Sequence, residues 1–180
     1  MIYLIGGAIR TGKSALAHKI LQNKKISVIS TDVIIGLLMD FIKPRDQNDT
    51  RPYIVKKAEN FFPYLKKMVH INTVLGIRDF VYEGDIILPE YVAELPKEYK
   101  FKVCFLGFSE ISVDLLKKHV GDHQWIDELG DEKLSESPKR IVSDSNHMEK
   151  ECKKYGFKYF DLASDYEEVH ELAYKYLTNG

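Results

Sequence analysis

The sequence predicts an α/β fold built on a parallel sheet, and three observations lead there. Five short apolar runs, rich in β-branched and aromatic residues, recur along the 180 residues, and each is strand-sized. Stretches with apolar residues at helical spacing separate them, so successive strands are joined by crossovers and lie parallel. The runs are continuous rather than alternating, as in strands covered by helices on both faces. The length suits one hydrophobic core, so a single domain over 1–180 is expected.

In chain order, Ile2 to Ile5 is the first strand, closed by Gly6-Gly7. A helix from about Lys13 to Asn23 follows, with Leu16, Ile20 and Leu21 on one side. Ile26 to Ser30 is the second strand. Thr31 is placed to cap the next helix, which carries Ile34, Leu37, Leu38 and Phe41 and runs to Ile42. Pro44 to Pro52 reads as a polar loop. From Tyr53 to about Val74 the spacing of Ile54, Ala58, Phe61, Leu65 and Met68 is helical, and Pro63 is expected to kink or divide it. Phe80-Val81-Tyr82 is the third strand and Phe101 to Phe108 the fourth. Polar helical stretches near 112–120 and 137–155 flank an acidic, weakly patterned segment from Gly121 to Glu136. Phe157 to Leu162 is the fifth strand, and an amphipathic helix from Tyr166 to Leu177 closes the chain.

Composition narrows the function classes. The 44% hydrophobic and 12% aromatic content argues against disorder. With 26 basic against 27 acidic residues the net charge is -1, which excludes a broadly basic nucleic-acid surface but allows a local cationic cleft. Two cysteines, Cys104 and Cys152, suit a reducing compartment rather than a disulfide framework or a zinc site. No signal peptide or membrane-spanning stretch is read, so a cytoplasmic protein without membrane partners is expected. Only five of the basic residues are arginines. Arginine's fork grips phosphate and carboxylate bidentately, so each one raises the question of what it holds.

In a parallel sheet, ligands bind beyond the carboxyl ends of the strands. After strand one, Gly7-Ala8-Ile9-Arg10-Thr11-Gly12-Lys13-Ser14, followed by Ala15, matches the phosphate-loop pattern G-x-x-x-x-G-K-[ST]. Its glycines let backbone N–H groups turn around a phosphate, and the helix start adds its positive end. Lys13 is placed to reach the β- and γ-phosphates, and the Ser14 hydroxyl to ligate Mg²⁺. A strand leads in and an amphipathic helix leads out, as the motif requires. Nucleoside triphosphate with Mg²⁺, ATP being the expected donor, is the implied cofactor set. Arg10 either approaches the γ-phosphate or a substrate anion, or projects into solvent.

After strand two, the Asp32 carboxylate either takes the proton of an attacking hydroxyl or merely stabilises a helix dipole; the phosphate loop before it favours the first. After strand three, Glu83 ends an apolar run as a metal or acceptor ligand would, with Asp85 nearby as a second acid. About fifty residues separate strands four and five, enough for a lid at about 121–145. Within it, Arg140 is either a cis arginine finger on the γ-phosphate or a surface charge. Arg45 and Arg51 flank the loop after the second helix, where an acceptor anion could be met. His119, His123 and His147 match no helical metal-ligand spacing, and Trp125 reads as a packing anchor.

With these segments in place, Ser30-Thr31-Asp32 and Tyr82-Glu83-Gly84-Asp85 resemble those of 2-phosphoglycerate kinase-like and zeta-toxin-like kinases of the P-loop superfamily. That resemblance implies a strand order of 2-3-1-4-5, ATP as donor, Asp32 as base, and Ser164 and Asp165 close to the adenine. The expected activity is phosphoryl transfer to a hydroxyl or phosphate of a small metabolite. A nucleoside or nucleotide monophosphate kinase is the neighbouring alternative. An NTP-binding switch would need a guanine-selecting N-K-x-D segment, and the chain has none.

Overall fold

The computed structural model describes residues 1–38, 53–76, 79–118 and 131–179. Its strands are β1 (Ile2–Gly7), β2 (Ser27–Ser30), β3 (Phe80–Gly84), β4 (Phe101–Gly107) and β5 (Lys158–Asp161). Its helices are α1 (Lys13–Lys24), α2 (Thr31–Leu38), α3 (Tyr53–Val74), α4 (Pro89–Val92), α5 (Val113–Lys118), α6 (Asp131–Tyr155) and α7 (Tyr166–Thr178). The five strands form one parallel sheet in the order β2-β3-β1-β4-β5, as expected.

Side chains alternate across this sheet and divide the core into two layers. Ile2 and Leu4 face one way, packing with Phe61, Leu65, Ile87, Phe105 and Met148 against the side of α3 and α6. Tyr3 and Ile5 face the other, with Leu16, Ile20, Leu106, Ala173 and Leu177 of α1, β4 and α7. Because Phe105 is fully buried on β4, beside the central strand β1, Phe105→Ala is expected to cost about 3–5 kcal/mol, read as a lowered urea midpoint at unchanged m-value. Cys104 and Cys152 are free and buried. Burial pushes both thiols up, that of Cys152 to about 12.

Three expectations about elements are corrected. Pro63 does not divide the helix: α3 runs unbroken through it. Pro63 lies on the exposed side, while Phe61, Leu65 and Val69 bury the opposite face. The N–H that proline lacks is therefore missing on the side of the helix that faces water. The helix of the last crossover starts at Asp131 rather than near 137 and contains Pro138; its first turns have no apolar period to announce them. Thr31 does not cap α2 but is its first residue, fully buried. Instead the Asp32 N–H donates to the Ser30 hydroxyl at 3.4 Å. Pro89 also opens a short helix, α4, that no apolar period announces. Residues 39–52, with Arg45 and Arg51, lie outside the described residues, as do Arg78, His119, His123, Trp125 and the first part of the lid candidate at 121–130.

Candidate active site

The site is assembled at the carboxyl ends of β1, β2 and β3. Register brings Ser30 of β2 opposite Glu83 of β3, and Glu83 opposite Ile5 of β1. The residues following each strand therefore converge. Gly84 tightens this convergence, because a Cβ there would collide with the Thr31 hydroxyl. Any side chain at 84 would push the β2–α2 corner, and Asp32 with it, away from β3.

The loop between β1 and α1 is held from within. The Ala8 N–H donates to the Leu106 carbonyl at 3.1 Å, and the Ala8 carbonyl accepts from the Thr11 hydroxyl at 2.9 Å and from Lys13 Nζ at 2.8 Å. Arg10 (φ 67°) and Gly12 (φ 72°) both adopt the left-handed backbone. Alternating conformations of this kind turn successive N–H groups to one side and form an anion nest. Arg10 bears that conformation with a side chain attached, which stores strain in the loop. Ala15 lies exposed in the first turn of α1.

Charges gather around this nest. Burial lowers the Lys13 pKa, while the carboxylates of Asp85, Glu83 and Asp32 pull it back up. The Ser14 hydroxyl donates to Glu83 Oε1 at 3.2 Å, and Glu83 is almost wholly buried. A hydroxyl and a carboxylate oxygen in contact, beside an anion nest, are the hard oxygen donors that Mg²⁺ prefers. Ser14 and Glu83 thus fit the role of metal ligands.

Asp32 is 67% exposed, and Lys57 Nζ stands 3.8 Å from its carboxylate. The same ammonium lies 3.3 Å from both oxygens of Asp85. Lys57 therefore bridges two carboxylates that follow different strands. On the far side of Asp85, α6 contributes Asp144, which burial raises in pKa, with Asp85 raising it further and Arg140 opposing. Arg140 Nε is 3.8 Å from Asp144, and its side chain is 54% exposed. Farther along α6, Ile141 and Ser145, inside the lid candidate, are fully buried.

Neither Lys57 nor Asp144 was singled out in the sequence, yet a signal exists. Lys57 falls three residues after Ile54 and four before Phe61, and Asp144 falls three after Ile141 and four before Met148. Each is a charge on the buried face of its helix. Charges on such faces are retained only when paired.

Beside the site, His147 Nε2 lies 2.9 Å from Glu90 Oε1. This hydrogen bond raises the histidine's pKa, Glu151 and Asp144 add to it, and burial opposes. A raised histidine pKa gives stability that is full below the unfolded value of 6.5 and is lost as pH rises through the folded value. The melting temperature is accordingly expected to fall as pH rises above about 6.5. In His147→Gln that slope should be shallower; a wild-type slope in the variant would mean the contact contributes nothing.

The loop after β5 completes the rim. Asp161 Oδ1 accepts from the Ser109 N–H at 2.9 Å and the Ala163 N–H at 3.1 Å, which ties the ends of β4 and β5 together. Asp165 then caps α7, accepting from the Glu168 N–H at 2.9 Å. No helix among the described residues is long and apolar enough to cross a membrane.

No family model and no curated protein matches this sequence. Solved structures do match in fold. One is an uncharacterized protein from Eubacterium ventriosum ATCC 27560, with TM-score 0.57 and 13% identity, over 100% of this chain and 99% of that one. A gluconokinase from Sinorhizobium meliloti 1021 matches with TM-score 0.54 and 16% identity, over 97% of this chain and 90% of its own. An unliganded sugar kinase from Janibacter sp. HTCC2649 matches with TM-score 0.55 and 14% identity, over 98% and 93%. At these identities the likeness is one of fold.

Proposed function

We propose that the chain is a cytoplasmic phosphotransferase that moves the γ-phosphoryl group of ATP, with Mg²⁺, to a hydroxyl of a small metabolite. The observation that carries this reading is the meeting of a phosphate nest, the Ser14–Glu83 oxygen pair and the exposed Asp32 carboxylate at one end of the sheet. The fold likeness to a gluconokinase and a sugar kinase supports a hydroxyl acceptor.

In this reading, Ile9, Arg10, Thr11 and Gly12 wrap the phosphates with backbone N–H groups, Gly7 and Ala8 anchor the loop against β4, and Ala15 continues the helix start behind them. Lys13 leaves the Ala8 carbonyl and follows the charge that develops on the transferred group. Ser14 and Glu83 would hold Mg²⁺, which when bound would offset phosphate charge. Asp32 accepts the proton of the acceptor hydroxyl, and its exposure leaves room for that hydroxyl. Lys57 pairs with Asp32 and Asp85 at once, which offsets their mutual repulsion and lets both carboxylates face one ligand. Arg140 steadies phosphoryl charge from α6, Arg45 and Arg51 meet an acceptor anion, and Ser164 and Asp165 border the adenine.

The deciding experiment is ADP release measured with ATP and Mg²⁺ against a panel of polyols, sugar acids, phosphorylated sugars, nucleosides and nucleoside monophosphates. Acceptor-dependent release with a hydroxyl compound is the expected result. Release that ignores every acceptor would make the chain an ATPase or switch, and preference for a nucleoside monophosphate would move the acceptor class.

A further inference from the structure

The last helix reaches the phosphate loop at one point. His170 Nε2 lies 3.0 Å from the Thr11 carbonyl oxygen. A carbonyl only accepts, so Nε2 carries the proton and donates. The Tyr166 and His170 rings stack with centroids 4.8 Å apart, and Phe108, buried at the end of β4, lies 6.5 Å from Tyr166 and nearly parallel to it. The imidazole is thus held at the end of an aromatic stack rooted in the core. Gly12 admits this approach: a Cβ there would collide with the Tyr166 hydroxyl and sit 2.5 Å from His170 Nε2.

The Thr11–Gly12 peptide is trans, so its C=O and N–H point in opposite directions. Anchoring the Thr11 oxygen on α7 directs the Gly12 N–H away from α7, to the side left for the phosphate. Gly12 is the residue most in need of such an anchor, because its backbone visits many conformations that other residues cannot.

We infer that His170 is a positioning residue that sets the Gly12 peptide for phosphate binding, so that α7 determines how tightly the loop holds a polyphosphate. This rests on the phosphate-loop reading above, but not on any acceptor or on phosphoryl transfer. It concerns the polyphosphate and not the nucleobase, which separates it from an aromatic contact with adenine.

The test is calorimetric binding of Mg·ATP and, separately, of inorganic tripolyphosphate to the wild-type chain, H170F and H170Q. Phenylalanine keeps the ring stack and loses the donor; glutamine keeps a donor near the Nε2 position. The expected result is that H170F weakens both ligands by the same factor, roughly tenfold for one lost hydrogen bond, while H170Q stays within about threefold of wild type. If H170F melts too low to assay, H170N, whose amide is too short to reach Thr11, takes its place. Weaker ATP binding with unchanged tripolyphosphate binding would make His170 a base contact and overturn the inference. Equal binding by wild type and H170F would also overturn it and leave the phosphate loop standing. A wild-type chain that binds neither ligand would overturn the phosphate-loop reading and this inference together.

Discussion

Lys13→Ala should reduce phosphoryl transfer by roughly 10³-fold or more without lowering the melting temperature. The two halves of that result have one cause. Lys13 Nζ is sunk against the loop, bonded to the Ala8 carbonyl, and burial lowers its pKa. A lowered lysine pKa means that the folded state disfavours the ammonium relative to the unfolded chain, so the charge costs stability at neutral pH. Asp85, Glu83 and Asp32 offset part of that cost. Removing the side chain relieves the desolvation and forfeits one hydrogen bond, so stability changes little while the charge that a transferring phosphoryl group needs is gone. Steady-state turnover and a thermal melt on the same preparation check both halves. Wild-type turnover would remove Lys13 from the mechanism; a collapsed melt would make it a structural residue.

Asp32→Asn should lower turnover by at least about 10²-fold with ATP affinity nearly unchanged. The carboxylate is mostly open to solvent and touches Lys57 rather than the Ser14–Glu83 pair. Its loss therefore removes a proton acceptor and leaves the oxygens placed for the metal intact. Asparagine preserves the shape and can still orient a hydroxyl, so the residual rate measures orientation alone. An equal loss of ATP affinity would place Asp32 on the metal instead, and an unchanged rate would return it to the dipole role at the start of α2.

The conformation of the loop between β1 and α1 was legible because its requirements are local. Left-handed backbone at Gly12, a strand before it and a helix from Lys13 are set by neighbours within a few residues. Glu83 was legible for a similar reason, since an apolar strand that ends in an acid places it at the sheet's carboxyl edge. The proline in α3 misled because its effect depends on which side of the helix faces water, and that is a tertiary fact.

Few of the chain's basic residues are arginines, and among the described residues the cation that meets both Asp32 and Asp85 is a lysine, Lys57. The parallel sheet, its two-sided core and the backbone of the loop after β1 follow from the sequence alone, because apolar periodicity and glycine placement act over short distances along the chain. Which charges meet across the site was decided by tertiary structure. Lys57 on α3, Asp85 after β3 and Asp144 on α6 are far apart in sequence and become neighbours only when two helices pack on one face of the sheet. The contact between His170 and Thr11 spans the chain in the same way. A pairwise charge or hydrogen bond carries no periodic signal, so only the packed fold reveals it.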